Sequence, residues 1–82
     1  MKLIDLLLKA GQYQAAIHYV NRAIEEDSCF EEAYRAGMKA FSELGDRASI
    51  SRYYDKCSAA LKKELDLEPA AETTLLYNNL MQ

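Results

Sequence analysis

Tryptophan is absent from these 82 residues, proline occurs once and glycine three times. So little turn-forming material argues against a sheet protein, whose hairpins consume glycine and proline, and favours helices. His18 is the only histidine, which excludes a His-rich metal site and leaves little for Ser-His or Cys-His catalysis. The two cysteines, Cys29 and Cys57, do not form a CxxC pair. The opening run Leu3-Ile4-Asp5-Leu6-Leu7-Leu8 is interrupted by Asp5 and lacks a small-residue cleavage site, so no signal peptide is expected. The thiols are then expected to be reduced, in a cytoplasmic protein. No apolar stretch is long enough to span a bilayer, so no membrane association is expected. Positive charge is not in excess: 10 Lys and Arg face 13 Asp and Glu, a net of −3 with a pI near 5.0. A chain that holds DNA by neutralising phosphates is normally basic, so direct nucleic-acid binding is disfavoured. The three glycines are isolated and form no phosphate-cradling loop.

What is present is an ordinary globular composition, 50% hydrophobic and 28% charged, rich in Ala, Leu, Glu and Lys. Gly11 and Gly45 divide it into helical segments. Met1 to Ala10 carries Leu3, Ile4, Leu6, Leu7 and Leu8, which wrap most of a helix circumference. Tyr13 to about Asp27 sets Tyr13, Ala16, Ile17, Val20, Ala23 and Ile24 on one stripe. Ser28 and Glu31 have the spacing of a capping box for a third helix. That helix would place Phe30, Ala33, Tyr34, Gly37, Met38, Phe41 and Leu44 inward and stop at Gly45. A fourth runs from about Arg47 to Leu65, with Ile50, Tyr53, Tyr54, Cys57, Leu61 and Leu65 inward. Asp66-Leu67-Glu68-Pro69 ends it, and Pro69 can begin a fifth helix carrying Leu75, Leu76, Leu80 and Met81. The expected fold is all-α, with about five helices in antiparallel hairpins.

Sliding the chain against itself so that Gly11 falls on Gly45 also aligns Tyr19 with Tyr53, Arg22 with Lys56 and Ala23 with Cys57. The run Gly-x-Tyr-x-Ala-Ala-Ile-x-Tyr-Val-x-x-Ala-Ile from Gly11 to Ile24 resembles the second helix of a tetratricopeptide (TPR) repeat. Gly turns the chain, Ala16 and Ala23 let helices approach, and Tyr19 is expected to fill the space between them. The second unit departs: Arg47 stands for the turn aromatic, Ile50 for a small residue and Gly37 for a large aliphatic.

A longer ordered series carries a second resemblance. It runs through Phe30-Glu31-Glu32-Ala33-Tyr34-Arg35, Leu44-Gly45-Asp46-Arg47-Ala48, Tyr54-Asp55-Lys56-Cys57, Leu61 to Pro69, Glu72-Thr73 and Leu76-Tyr77. From about Gln12 to Leu80 it resembles the bacterial transcriptional activator domain of SARP-type regulators. In that family a long helix ends in a Glu-Leu-Gly-Val-Glu-Pro-like segment before a short Glu-Thr…Leu-Tyr helix. Asp66 for the usual Gly and Ala70-Ala71 for Ser-Pro are the departures. The resemblance implies a helical dimerisation and regulatory module following a winged-helix DNA-binding domain. DNA would then be reached only indirectly, through that winged helix, which is not within this sequence. On this reading residues 1–82 are one TPR-like domain, a C-terminal fragment of a longer regulator.

The remaining chemistry-bearing residues have plainer accounts. His18 belongs to a polar face with Gln14 and Arg22. Cys57 lies on an inward stripe as a small hydrophobe, and Cys29 lies near a helix N-terminus, where a thiol can be activated. Glu25-Glu26-Asp27 and Glu31-Glu32 are helix-end charges, and Lys62-Lys63 complements a helix dipole. Tyr13, Tyr19, Tyr34, Tyr53 and Tyr54 fall on or beside core stripes, which favours packing over a binding surface. No catalytic residue, cofactor or metal ligand is expected, and the chain is expected not to be an enzyme. The candidate interaction face is the inner side of the third helix, Glu32, Arg35, Lys39 and Ser42, able to accept a peptide or another subunit. A solvated helix face accounts for the same four residues. Leu3 and Leu7 on the first helix form a candidate self-association face, with a homodimer as one outcome. The leading expectation is a non-enzymatic regulatory domain of a transcription factor. Beside it stand a stand-alone TPR adaptor binding a peptide or partner helix, and a helical accessory segment of a signalling ATPase or other enzyme.

Overall fold

A computed structural model describes residues 1–82 and contains five α-helices and no strand. They are α1 (Lys2–Lys9), α2 (Tyr13–Glu26), α3 (Glu31–Glu43), α4 (Arg47–Leu65) and α5 (Ala71–Leu80). The internal repeat is visible in its hydrogen bonds. Gly11 and Gly45 adopt φ of +74° and +73°, the left-handed region open to a residue without Cβ. In the first turn Gln12 N–H donates to the Leu7 carbonyl at 2.8 Å, and Gly11 N–H to Leu8 at 3.1 Å. In the second Asp46 N–H donates to Phe41 at 2.9 Å, and Gly45 N–H to Ser42 at 3.1 Å. Both are Schellman closures, which satisfy orphan carbonyls and reverse the chain within three residues. Asp46 then caps α4: its carboxylate accepts from Ser49 N–H at 3.0 Å and from the Ser49 hydroxyl at 2.6 Å. Those bonds hold the Asp46 carboxyl below its usual range, with Arg52 helping.

α3 is the centre of the fold, packed against each of the other four helices. Ala33, Tyr34, Ala36, Gly37, Met38 and Ala40 are all buried on it. The core runs from Ile4 on α1 through Ala16, Val20 and Ile24 on α2 to Ile50, Tyr53, Cys57 and Leu61 on α4. Each fully buried aliphatic of this kind contributes about 1.5–3 kcal/mol. α1 supplies only Ile4 in full, with Leu7 and Leu8 half-buried, so it is the most lightly anchored of the first four helices.

The inward stripes of α2 and α4 match their periodicity, with informative exceptions. Tyr19 does not fill an interhelical space; it is 41% exposed and meets His18 edge-on at 5.1 Å. Val20, the next residue, takes the buried place beside Gly37. Leu44 and Leu65 are also exposed rather than inward. Leu65 is the last residue of α4, which has 19 residues against 13 in α3. The Ser28–Glu31 capping box does not form. α3 begins one residue after Phe30, which leaves Ser28 too early to cap it. The Ser28 carbonyl instead accepts the Tyr34 hydroxyl at 2.8 Å, and Glu31 reaches away to α5. Asp66 stands where the resembled family has Gly, and the reason for that glycine is visible: φ is +54° there. Asp tolerates this region better than most residues, and its carboxylate pairs with Lys62 at 2.7 Å.

Gly37 is the tightest place in the core. A Cβ built on it lies 3.1 Å from both Tyr53 Cδ2 and Val20 Cγ1. Neither neighbour is free to retreat. Val20 is wholly buried, while Tyr53 hydrogen-bonds Asn21 through its hydroxyl and packs edge-on against Phe41 at 4.8 Å. The steric cost of Gly37→Ala is about 1–3 kcal/mol. The gain in helix propensity returns about 1 kcal/mol of this. The variant is therefore expected to lose about 1 kcal/mol net in denaturant unfolding. A gain in stability would show that α2 and α4 can separate without cost.

Candidate functional site

The first helices of the hairpins, α1 and α3, lie side by side, and α5 lies on the other flank of α3. This leaves a groove with α3 as its floor and α1 and α5 as its walls. It consists of two adjoining hollows of about 460 and 190 Å³ that share Asp5, Leu8 and Lys39. Glu32, Arg35 and Lys39 line the smaller hollow, and Lys39 and Ser42 the larger, so the four residues of the candidate face all border this one groove. Their i, i+3, i+7 spacing explains it, because such positions share a helix face.

The two ends of the groove differ in chemistry. One end combines Asp5, Glu32 and Glu72 with Arg35. The other combines the apolar groups of Leu8, Tyr13 and Leu80 with Lys9, Ser42 and Glu43. Across the whole groove four carboxylates (Asp5, Glu32, Glu43, Glu72) stand against three cations (Lys9, Arg35, Lys39). Mixed charge around an apolar strip suits a protein segment and gives no field for a phosphate backbone.

Arg35 is already engaged. Its Nη1 donates to Thr73 Oγ1 at 2.9 Å, and its Nε lies 3.4 Å from Glu72 Oε2. Thr73, fully buried, donates its hydroxyl to Glu31 Oε1 at 2.8 Å. The same carboxylate oxygen accepts Ala70 N–H at 2.9 Å. Ala70 has no side chain able to cap α5, and Glu31 of α3 does that work from across the interface, a carboxylate at a helix N-terminus. This clasp was not legible from spacing. Glu31, Arg35, Glu72 and Thr73 all stand in the ordered series, but nothing local says that residues so distant in sequence meet.

The other chemistry-bearing residues are dispersed. His18 is exposed on α2, away from the groove. Cys29 is half-buried, and its thiol points to the Ala60 carbonyl at 3.6 Å. Cys57 is wholly buried; burial, reinforced by Glu31 and Cys29, pushes its thiol up to about 12. It stays a neutral hydrophobe at neutral pH. Burial likewise raises the Tyr34 phenol to about 12, with Cys57 adding to the effect. No three His, Cys, Asp or Glu side chains converge as metal ligands, and no helix is long and apolar enough to cross a membrane. Leu3 is half-exposed on the outer side of α1 beside the more exposed Leu6, whereas Leu7 is turned partly into the core.

Antiparallel helical hairpins, repeated turn closures and a groove floored by the first helix of a hairpin define a TPR-like helical domain. The chain belongs to the bacterial transcriptional activator domain family, whose model matches residues 1–81. The match includes α1, ahead of Gln12, from about which the sequence resemblance runs. Neither curated proteins nor solved structures give a significant match.

Proposed function

We propose that this chain is a non-enzymatic protein-interaction domain of a bacterial transcriptional regulator, working in the cytoplasm. It acts by pairing subunits or by docking on a DNA-binding domain, so that DNA is engaged only through that second domain. The observation that carries the reading is the α1–α3–α5 groove, in which Glu32, Arg35, Lys39 and Ser42 border one continuous surface of mixed charge and apolar character. Family membership supports the link to transcription. The groove alone would serve a stand-alone adaptor that binds a peptide equally well, and the family is what favours the regulator.

Lys39 is the informative position, because it borders both hollows, is exposed and has no ion-pair partner. Lys39→Glu in the regulator carrying this domain is expected to leave thermal unfolding unchanged. It is also expected to lower expression from the regulated promoters by about tenfold, the effect of one reversed charge at an interface. Unchanged expression with a stable variant would count against the groove.

Self-association through the outer face of α1 is the second part of the proposal. Leu3 and Leu6 are 50% and 56% exposed and one helical turn apart, with Leu7 at their edge. Light scattering at high micromolar concentration is expected to show a mass above 9.3 kDa that Leu3→Ser returns to monomer. A monomer throughout the concentration range would remove this part and leave docking as the mechanism.

A further inference from the structure

α5 is attached to the molecule differently from the other four helices. Of its ten residues only Thr73 is fully buried, and Thr73 is polar. One hydroxyl oxygen there joins α5 to both Glu31 and Arg35 of α3. The second attachment is aromatic: Tyr77 stacks on Tyr54 of α4 with ring centroids 4.2 Å apart, and the Tyr54 and Thr74 hydroxyls meet at 2.8 Å. Leu76, Leu80 and Met81 add half-buried contact, and Arg47 of α4 donates to the Met81 carbonyl just past the end of α5. The connection to α4 also differs. Where the turns at Gly11 and Gly45 close within three residues, residues 66–70 are non-helical, and all but Pro69 are exposed. A ten-residue helix does not hold its form alone in water, so α5 depends on these polar and aromatic contacts.

We propose that α5 is a hinged wall of the groove: it undocks as a unit from α3 and α4, turning on residues 66–70, while α1–α4 remain folded. Undocking carries Glu72 and Leu80 away from the groove, opens the floor formed by α3, and frees the Arg35 guanidinium from Thr73 and Glu72. An occupant that touches both α3 and α5 binds the docked state alone and therefore holds α5 down. By reciprocity, whatever loosens the clasp weakens that occupant. This coupling rests on the groove being the binding face proposed above; the undocking itself does not.

Native-state amide hydrogen exchange on the whole chain tests it. Amides of α5 are expected to exchange at least about tenfold faster than the slowest amides of α2 and α3, through an opening with its own, weaker denaturant dependence. Thr73→Val strands Glu31 and Arg35 and is expected to lower α5 protection by a further tenfold or so, leaving α2 and α3 unaltered. Thr73→Ser keeps the hydroxyl and is expected to restore protection. Exchange of α5 at the same rate as the α3 core would overturn the hinge, as would a Thr73→Val variant that loses protection equally in α2, α3 and α5. If Thr73→Val does not fold, the comparison within the unaltered protein decides alone. No partner is present in this experiment, so its failure leaves the groove reading standing. A negative Lys39→Glu result likewise leaves the hinge standing.

Discussion

Everything in this domain depends on how closely other helices approach α3. Four helices surround one of 13 residues, and they fit because its buried surface includes Ala33, Ala36, Gly37 and Ala40. Val20 of α2 and Tyr53 of α4 both reach the space above Gly37, where not even a methyl group fits at ordinary contact distance. Close packing of this kind transmits strain rather than absorbing it, so the position of α4 sets where Tyr54 stands. Tyr54 in turn gives α5 its aromatic seat. Glycine stands here where the resembled TPR pattern has a large aliphatic, and its cost in helix propensity is offset by the approach it permits.

The groove follows from that arrangement. With α2 and α4 drawn onto one side of α3, its opposite face is left to α1 and α5, which flank it without covering it. Charged residues survive there because the face stays wet. Arg35 and Glu31 are the exceptions, turned toward α5 and satisfied by Thr73, Glu72 and the Ala70 amide. The floor of the groove and the clasp of its wall thus share the Arg35 side chain.

Much of this was legible in the sequence because it is local. Gly11 and Gly45 mark turns whose hydrogen bonds lie within six residues, and the stripes of α2 and α4 require only helical periodicity. The placing of Glu32, Arg35, Lys39 and Ser42 on one face is of the same kind. What escaped is non-local. Periodicity assigns Leu65 to a side of a helix, but burial also needs a neighbour there, and Leu65, the last residue of α4, is 54% exposed. Glu31 offered a local partner in Ser28 and took a distant one in Thr73, since the helix start fell at Phe30. No spacing rule contains that contact.

The central claim is that the groove floored by α3 is a protein-binding face. A photo-crosslinking residue in place of Lys39, in the regulator carrying this domain and in its own cells, tests it most directly. The account predicts a covalent adduct with protein, either a second subunit or a DNA-binding domain, and none from the same residue placed at His18 on the exposed side of α2. Adducts from His18 with none from Lys39 would contradict it and move the interaction to the opposite face.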